Sequence, residues 1–168
     1  MDRILLTGGF GYVGSHTAAL LAEKGEDFLI YDNFSNCNSN IVKNLERTIG
    51  KKINFVEGDI RDTPKIEKII RVNQISSVVH FAALKYIEDS VNNPLEYYDV
   101  NVLGTISLLK AMQQNNVKKF LFSSSATIYG EPKYLPIDEI HPLNAKNPYG
   151  ETKLIVEKML EDLSKSDD

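Results

Sequence analysis

The sequence contains one cysteine, no tryptophan and three histidines among its 168 residues. A lone cysteine, Cys37, excludes an internal disulfide and fits a reducing compartment. No apolar run approaches the ~18 residues that span a bilayer, and Met1–Arg3 lead directly into the first predicted strand, so we expect a cytoplasmic protein with no membrane partner. His16, His80 and His141 have no metal-ligand spacing, so we treat them as structural and expect no metal.

An excess of basic charge is also absent. Lys and Arg number 19 against 23 Asp and Glu, for a net charge of −4. This balance gives nucleic acid no basic surface to bind. Because 42% of the residues are hydrophobic and 25% are charged, we expect one globular domain over residues 1–168 with a full core.

The most informative stretch is a glycine pattern near the start of the chain. Glycines at positions 8, 11 and 14 join an apolar run at 4–6, a predicted strand, to a helical pattern at 17–21. Such a turn aims backbone N–H groups and the positive end of a helix at one point, where a diphosphate can bind. Gly8 allows the tight turn, Gly11 lets the ligand approach, and Gly14 lets the helix pack on the strand. The pattern predicts a dinucleotide site; an ordinary glycine-rich turn is the alternative.

An acid follows the second predicted strand. Residues 27–31 are predicted to form a second buried strand that finishes at Asp32, 18 positions after Gly14. An acid at that point accepts hydrogen bonds from the adenosine ribose. No arginine occurs in 33–36 to neutralise a 2′-phosphate, so NAD is favoured over NADP. A simple loop acid is the alternative.

The remaining chain alternates strands and helices. Strands are predicted at 52–57, 77–81 and 117–123, and helices at 39–50, 63–73 with a capped start at Thr63, 93–116 and 149–164 with Asn147 as N-cap. An irregular loop is predicted at 129–147. Because strand–helix–strand crossovers are right-handed, this order predicts an α/β fold: a Rossmann-type, doubly wound parallel sheet with helices on both faces.

Residues at the strand ends are further candidates for cofactor contact. Asp59 offers an acceptor and Ile60 an apolar face to an adenine, although Asp59 fits a solvated turn nearly as well. Small residues at 82–83 leave room for a cofactor. Asn101 suits either a hydrogen bond toward the sheet or a solvated position, and we leave both open.

Tyr149 and Lys153 form the candidate for chemistry. Four residues apart on a helix, their side chains lie on one face. A free tyrosine has a pKa of ~10, so a base near neutrality needs a cation and a helix N-terminus beside it. Tyr129 and Lys133 have the same spacing, but glycine and proline between them forbid a helix. Tyr149 packed at the edge of the core is the alternative.

Seven segments together resemble the extended short-chain dehydrogenase/reductase family. They are residues 7–16, 31–33, 55–61, 80–85, 94–98, 122–130 and 147–150. The resemblance covers residues 3–163. It implies that Tyr149 is the acid/base, that Lys153 lowers its pKa and holds the nicotinamide ribose, and that Ser125 hydrogen-bonds the sugar hydroxyl.

The resemblance implies NAD as cofactor. The cofactor-binding residues it implies, beyond Tyr149 and Lys153, are Gly8, Gly11, Tyr12, Val13, Gly14, Asp32, Asn33, Asn36, Asp59, Ile60, Phe81, Ala82, Ala83, Lys85, Asn101 and Ser123. Many family members have glycine in place of Ala83, which leaves slightly more room there.

The implied reaction is the 4-epimerisation of a UDP-sugar, interconverting UDP-glucose and UDP-galactose. Tyr149 removes the 4-hydroxyl proton, hydride passes to NAD⁺, and the 4-keto sugar turns over before the hydride returns. The family has a smaller C-terminal lobe that grips UDP, whereas this sequence stops at Asp168. We therefore expect the chain to bind NAD weakly and to turn over no sugar.

Helices at 94–115 and 149–163 resemble those that pair in family dimers, so a homodimer is expected. A nucleotide-sugar dehydratase or decarboxylase is one alternative function. Similar dehydratases carry an Asp-Glu pair after the serine, where this chain has Ala126 and Thr127. A non-catalytic NAD-binding fragment is the other alternative.

Overall fold

The structure, a computed structural model, describes residues 2–38 and 40–166. The strands are β1 (Arg3–Thr7), β2 (Asp27–Asp32), β3 (Phe55–Glu57), β4 (Ile75–His80) and β5 (Lys119–Phe122). The helices are α1 (Tyr12–Glu23), α2 (Asn40–Ile49), α3 (Thr63–Val72), α4 (Ile87–Asn92), α5 (Pro94–Tyr97), a π-helical segment (Tyr98–Leu103), α6 (Gly104–Gln114), a 3₁₀ turn (Ala126–Ile128) and α7 (Pro148–Ser166). Among the described residues, none of these helices is long and apolar enough to cross a membrane.

The chain divides into two compact units. The first comprises Met1–Ala82 and Ile106–Ser123, and the second comprises Ala83–Thr105 and Ser124–Asp168. The first unit contains the sheet, and the second contains α4, α5, the π-helical segment and α7. Whether the two units act as one NAD-binding domain stays a prediction.

The first unit is built on a parallel five-stranded sheet in the order β3-β2-β1-β4-β5. β2 and β3 are added on one side of β1, and β4 and β5 on the other side. Right-handed crossovers therefore place α1 and α2 on one face of the sheet and α3 and α6 on the other. This is the strand order of Rossmann folds. The prediction of a doubly wound α/β fold is therefore confirmed.

The central strands are apolar because both sheet faces are covered. Leu5, Leu6 and Ile30 are completely buried, and Leu6 lies opposite Ile30 in the register of β1 and β2. A hydrophobic cluster under α1 and α2 contains Leu6, Phe10, Ala18, Phe28, Ile30, Leu45 and Ile53. This cluster supports the turn that follows β1.

His80 is part of the same interior. Its Nδ1 lies 2.6 Å from the hydroxyl oxygen of Thr7, and its ring packs near Phe120 and Phe122. The buried imidazole therefore has a polar partner and aromatic neighbours, as its predicted structural role requires.

Some element boundaries differ from the predicted ones. β3 begins at Phe55 rather than at residue 52. The N-cap of α3 is Asp62, whose side chain accepts a hydrogen bond from Lys65 N, and not Thr63. A carboxylate caps a helix as well as a hydroxyl does. Ser39, the first residue of the predicted second helix, lies outside the described residues.

The long helix predicted at 93–116 is present from Pro94 to Gln114, but it is not α-helical throughout. It comprises α5, the π-helical segment and α6, with Gly104 at the junction of the last two. α4 was not predicted at all. The loop at 129–147 is irregular as expected, and Asn147 caps α7 by accepting a hydrogen bond from Gly150 N at 2.8 Å.

Candidate functional site

The turn after β1 requires glycine at its first position. Gly8 has φ of +68°, and a Cβ there would lie 2.5 Å from Ala82 N and 2.9 Å from Phe81 C. Its own N–H donates to Tyr31 O at 2.8 Å. The tight turn predicted at Gly8 is therefore present, and it lies directly against the chain that leaves β4.

Gly14 lets the helix approach the chain closely, as predicted. A Cβ on Gly14 would contact Gly8 O and lie 2.8 Å from Gly9 Cα, so the first turn of α1 lies against the glycine turn that directly follows β1. Gly9, which the pattern did not single out, is equally constrained, since its Cβ would lie 2.8 Å from Ile30 Cγ2. The turn is compact because three glycines contact one another or the core.

The N-terminus of α1 is open to a ligand. Its N-cap, Gly11, has no side chain to bond the first helical amides. A Cβ built on Gly11 would lie 3.3 Å from Gly8 O, a close contact rather than a severe clash. Tyr12 and Val13 are 74% and 53% exposed. Uncapped amides at the positive end of a helix bind anions, so the predicted diphosphate site has the required donors.

Asp32 is held at the carboxyl end of β2 by two backbone amides. One carboxylate oxygen accepts from Phe10 N at 2.9 Å and the other from Phe34 N at 2.8 Å. The residue is 9% exposed. A carboxylate offers about four lone-pair positions, so about two remain to accept hydrogen bonds from neighbouring hydroxyl groups.

Asp59 and Ile60 follow β3 and differ in environment. Asp59 accepts from Arg61 Nε at 2.9 Å and from Arg61 Nη2 at 2.6 Å, and hydrogen bonding with Arg61 holds the pKa of its carboxyl below the usual value. Ile60 is only 5% exposed. Asn33 and Asn36 are exposed near the end of β2. Contact of these residues with an adenosine stays a prediction.

The ends of β4 and β5 lie at the same edge of the sheet. Phe81 N donates to Thr7 O at 2.9 Å and Ser123 N donates to His80 O at 3.2 Å, which extends the ladder past each strand. Phe81, Ala82 and Ser123 are half-buried. Because parallel strands end together, these residues and the glycine turn share the carboxyl edge where ligands bind in such sheets.

In the second unit, Asn101 is the most heavily bonded candidate. It is 2% exposed. Its amide oxygen accepts from Leu84 N at 2.8 Å, while its amide nitrogen donates to Leu84 O and to Thr152 Oγ1, each at 3.0 Å. The solvated alternative for Asn101 is therefore wrong. The side chain joins the segment after Ala83 to α7, and its role as a cofactor ligand stays a prediction; Lys85 in that segment is exposed.

Tyr149 and Lys153 lie on the first turns of α7. The Lys153 ammonium is 6.0 Å from the centre of the Tyr149 ring, as the four-residue spacing predicts. Tyr149 is half-buried, and its carbonyl accepts from Thr152 Oγ1 at 2.7 Å. The hydrogen bonds that run from Asn101 through Thr152 to Tyr149 therefore hold the first turn of α7 in place.

Burial changes the ionisation of Lys153. The residue is 4% exposed, and this desolvation lowers the pKa of its ammonium to about 8. Burial penalises the charged form because the interior solvates it less well than water does. Most Lys153 side chains are therefore charged at pH 7, and the charge is lost as the pH rises through about 8.

Ser125 lies beside the same helix turn. Its Oγ is 2.9 Å from Thr127 Oγ1 and accepts from Thr127 N at 3.2 Å. Gly150 allows this approach, since a Cβ there would lie 2.9 Å from Thr127 O. The structure therefore places the serine turn against the first turn of α7. The sequence analysis did not predict a role for Thr152 or Gly150. The four-residue spacing of Tyr149 and Lys153 identifies only the first and last residues of the pattern and says nothing about those between them.

The second tyrosine–lysine pair is not helical. Gly130 has φ of +66°, and Lys133 N donates to His141 Nε2 at 3.0 Å, which places Lys133 in an irregular loop. The His141 ring packs on Tyr129 and Tyr134. The prediction that glycine and proline prevent a helix between Tyr129 and Lys133 is therefore confirmed. Over the described part of the chain, no group of three or more acidic, histidine or cysteine side chains could hold a metal.

Comparison with known proteins shows the family. A family model described as GDP-mannose 4,6 dehydratase matches residues 5–168. The chain belongs to this family, and the resemblance drawn from its motifs is confirmed.

Within that family, the chain is similar to UDP-glucose 4-epimerases. It is 48% identical over 166 residues to the enzyme of Dictyostelium discoideum, a match that covers 99% of this chain and 48% of the relative. It is 44% identical to the enzyme of Bacillus subtilis, with 98% and 48% covered. The chain spans about half the length of the curated relatives it matches.

The chain is also similar to solved structures of UDP-glucose 4-epimerases. A UDP-glucose 4-epimerase from Stenotrophomonas maltophila, crystallised with bound NAD and formylated UDP-arabinopyranose, matches with a TM-score of 0.97 at 40% identity, covering 100% of this chain and 50% of that one. The enzyme from Bifidobacterium longum, in complex with NAD⁺ and UDP, matches with a TM-score of 0.95 at 43% identity, covering 99% and 50%.

Proposed function

We propose that a protein containing this chain is an NAD-dependent nucleotide-sugar 4-epimerase that interconverts UDP-glucose and UDP-galactose. The observation that carries the proposal is the first turn of α7, where Tyr149 lies beside the buried ammonium of Lys153. The 48% identity to a UDP-glucose 4-epimerase over nearly the whole chain supports the choice of reaction.

The residues of the first unit fit NAD. The uncapped amides at the start of α1 suit a diphosphate, and the two amides on Asp32 leave its carboxylate able to accept from ribose hydroxyls. Matching structures that contain NAD support this assignment. When bound, NAD supplies the acceptor and donor of hydride for C4 of the sugar.

Residues of the second unit handle the proton. Tyr149 takes the proton of the sugar 4-hydroxyl and later returns it, with Ser125 holding that hydroxyl by a hydrogen bond. The Lys153 ammonium, 6.0 Å from the Tyr149 ring centre, stabilises the negative charge that develops on the phenol oxygen. Tyr149 returns the proton that it removed, and return of the hydride to the other face of C4 would invert that carbon without net oxidation.

A nucleotide-sugar dehydratase or decarboxylase is the second candidate. The description of the matching family model, a 4,6 dehydratase, favours it. A dehydratase must also expel a hydroxyl group, and for this it needs an acid near the serine. This chain has Ala126 and Thr127 there, in a short 3₁₀ turn. The residues that follow Ser125 therefore support the epimerase.

The decisive experiment compares two matched tyrosine variants. In a protein that contains this chain and converts UDP-galactose, we expect Tyr149→Phe to lower turnover by about 10²–10⁴-fold while NAD binding is retained. Tyr129→Phe removes the hydroxyl from the non-helical pair and should leave turnover nearly unchanged. Wild-type turnover in Tyr149→Phe would show that the phenol is not the acid/base. If the wild-type protein that contains this chain binds NAD but converts no UDP-sugar, the non-catalytic alternative is favoured.

We also propose that the protein forms a homodimer through the second unit. Its helices expose apolar side chains: Ile87, Val91, Leu95, Leu103 and Ile155. Leu95 is 82% exposed, and apolar surface of this kind is typical of protein interfaces. Sedimentation should show a dimer that Leu95→Asp weakens. A monomer at all concentrations would contradict the proposal.

A further inference from the structure

Three aromatic rings surround the backbone that holds Asp32. The ring centres of Phe10 and Phe34 are 5.0 Å apart and nearly parallel, at 27°. Phe55 packs edge-on against Phe10 at 5.4 Å and against Phe34 at 6.0 Å. Pairs in these arrangements attract one another beyond their buried area. All three rings belong to the first unit.

Two of these phenylalanines supply the amides that bind Asp32. Phe10 N donates to one carboxylate oxygen and Phe34 N to the other. The side chains of the same two residues are stacked. The stack therefore ties together the two donors, one from the glycine turn and one from the loop after β2.

The backbone of Phe34 shows that this arrangement is costly. Its φ is +57°, in the left-handed region that costs a residue with a Cβ roughly 1–2 kcal/mol. Glycine would adopt it freely, yet a large ring occupies the position. This conformation turns the N–H of Phe34 back to the carboxylate two residues earlier, and packing of the ring on Phe10 offsets the strain.

We propose that Phe10 and Phe34 are positioning residues that set the preference for NAD over NADP by holding the Asp32 carboxylate in one orientation. The inference rests on the proposed binding of NAD. A carboxylate fixed by two amides presents its remaining lone pairs to ribose hydroxyls and its charge to a 2′-phosphate. A carboxylate that can rotate away gives weaker hydrogen bonds to NAD and less repulsion toward NADP.

The test measures the dissociation constants of NAD and NADP for the chain and its variants. Phe34→Gly keeps the left-handed backbone and the amide but removes the ring; Phe10→Leu removes the stacking partner. We expect each variant to lower the ratio of the NADP to the NAD dissociation constant by about threefold to tenfold, the range that one aromatic pair contributes. The double variant should lower it no further, because both changes break one stack.

Leu45→Ala is the matched control. Leu45 lies in the same hydrophobic cluster, so its truncation loosens the core without removing either ring. It should lower stability and leave the ratio unchanged. An unchanged ratio in both phenylalanine variants, or an equal change in Leu45→Ala, overturns the proposal.

A second measurement does not depend on the cofactor. Hydrogen exchange of the Phe34 amide should be at least several times faster in Phe10→Leu than in the wild type, because its bond to Asp32 loses support. Unchanged exchange overturns the positioning role even if the chain binds no NAD. Absence of NAD binding with the expected exchange result would contradict only the proposed function.

Discussion

The two units present their polar groups in different ways. In the first unit, the groups at the sheet edge are backbone amides and one carboxylate that two amides anchor. In the second unit, the candidate groups are side chains on the first turns of α7, which hydrogen bonds of Asn101 and Thr152 support. The first site therefore depends on the space around its glycines, which one added methyl group would fill. The second depends on buried hydrogen bonds and on the charge of Lys153, which changes with pH.

The strongest test of this contrast is Gly14→Ala. Gly14 lies in α1, where alanine would ordinarily gain about 1 kcal/mol in helix propensity. Its Cβ would instead meet Gly8 O and Gly9 Cα. We expect the free energy of unfolding to fall by about 3 kcal/mol or more, measured by urea denaturation. Gly50→Ala is the control: with φ of +75° and no atom within 4 Å, it should cost only about 1 kcal/mol. Equal losses would mean that space is not the constraint.

Asn101→Ala tests the hydrogen bonds of the second unit. It leaves Leu84 N and O without their side-chain partner and removes one of the two hydrogen bonds of the Thr152 hydroxyl, which keeps its bond to Tyr149 O. We expect a loss of roughly 2–4 kcal/mol in unfolding free energy. Asn115→Ala, which removes a single bond to Ala111 O, should cost about 1 kcal/mol or less. If Thr152→Val and Asn101→Ala are strictly additive, the two residues do not act as one network.

Lys153 makes the stability of the second unit depend on pH. Its pKa in the folded chain is about 8, below the ordinary 10.5, so between these values the unfolded chain holds a proton that the folded chain has lost. Stability therefore rises with pH through this window, by roughly 3 kcal/mol at most, and is flat in this respect below pH 8. Lys153→Met should remove the rise. The comparison is best made from pH 7 to 9.5, because burial raises the pKa of Tyr97 to about 12 and makes stability fall at higher pH. A slope that survives in Lys153→Met would assign it to another group.

The smallest expected effect concerns the start of α7. Asn147→Ala removes the side-chain oxygen that accepts from Gly150 N, and we expect a loss of about 1 kcal/mol by chemical denaturation. Ser164→Ala, near the exposed end of the same helix, should change stability by less than about 0.5 kcal/mol. Similar values for the two variants would show that the cap adds nothing to the helix that carries Tyr149.

Sequence patterns correctly predicted those elements that depend on a few neighbouring residues. The apolar runs of β1 and β2, the turn at Gly8 and the Asn147 cap are each decided by a few neighbouring residues, and each is present as expected. The prediction of a helix at 93–116 did not reveal the π-helical segment, because the apolar period continues through it. One extra residue in a turn leaves little trace in such a pattern.

The sequence by itself determined the alternation of strands and helices along the chain, the position of the glycine turn and the spacing of Tyr149 and Lys153, because chain connectivity and side-chain periodicity carry that information. Only the tertiary structure decided what each group touches. Asn101 bonds Leu84 and Thr152, Gly14 packs on the backbone of Gly8 and Gly9, and burial lowers the pKa of Lys153. These properties arise from residues far apart in the chain, whose approach and exclusion of water no local pattern records.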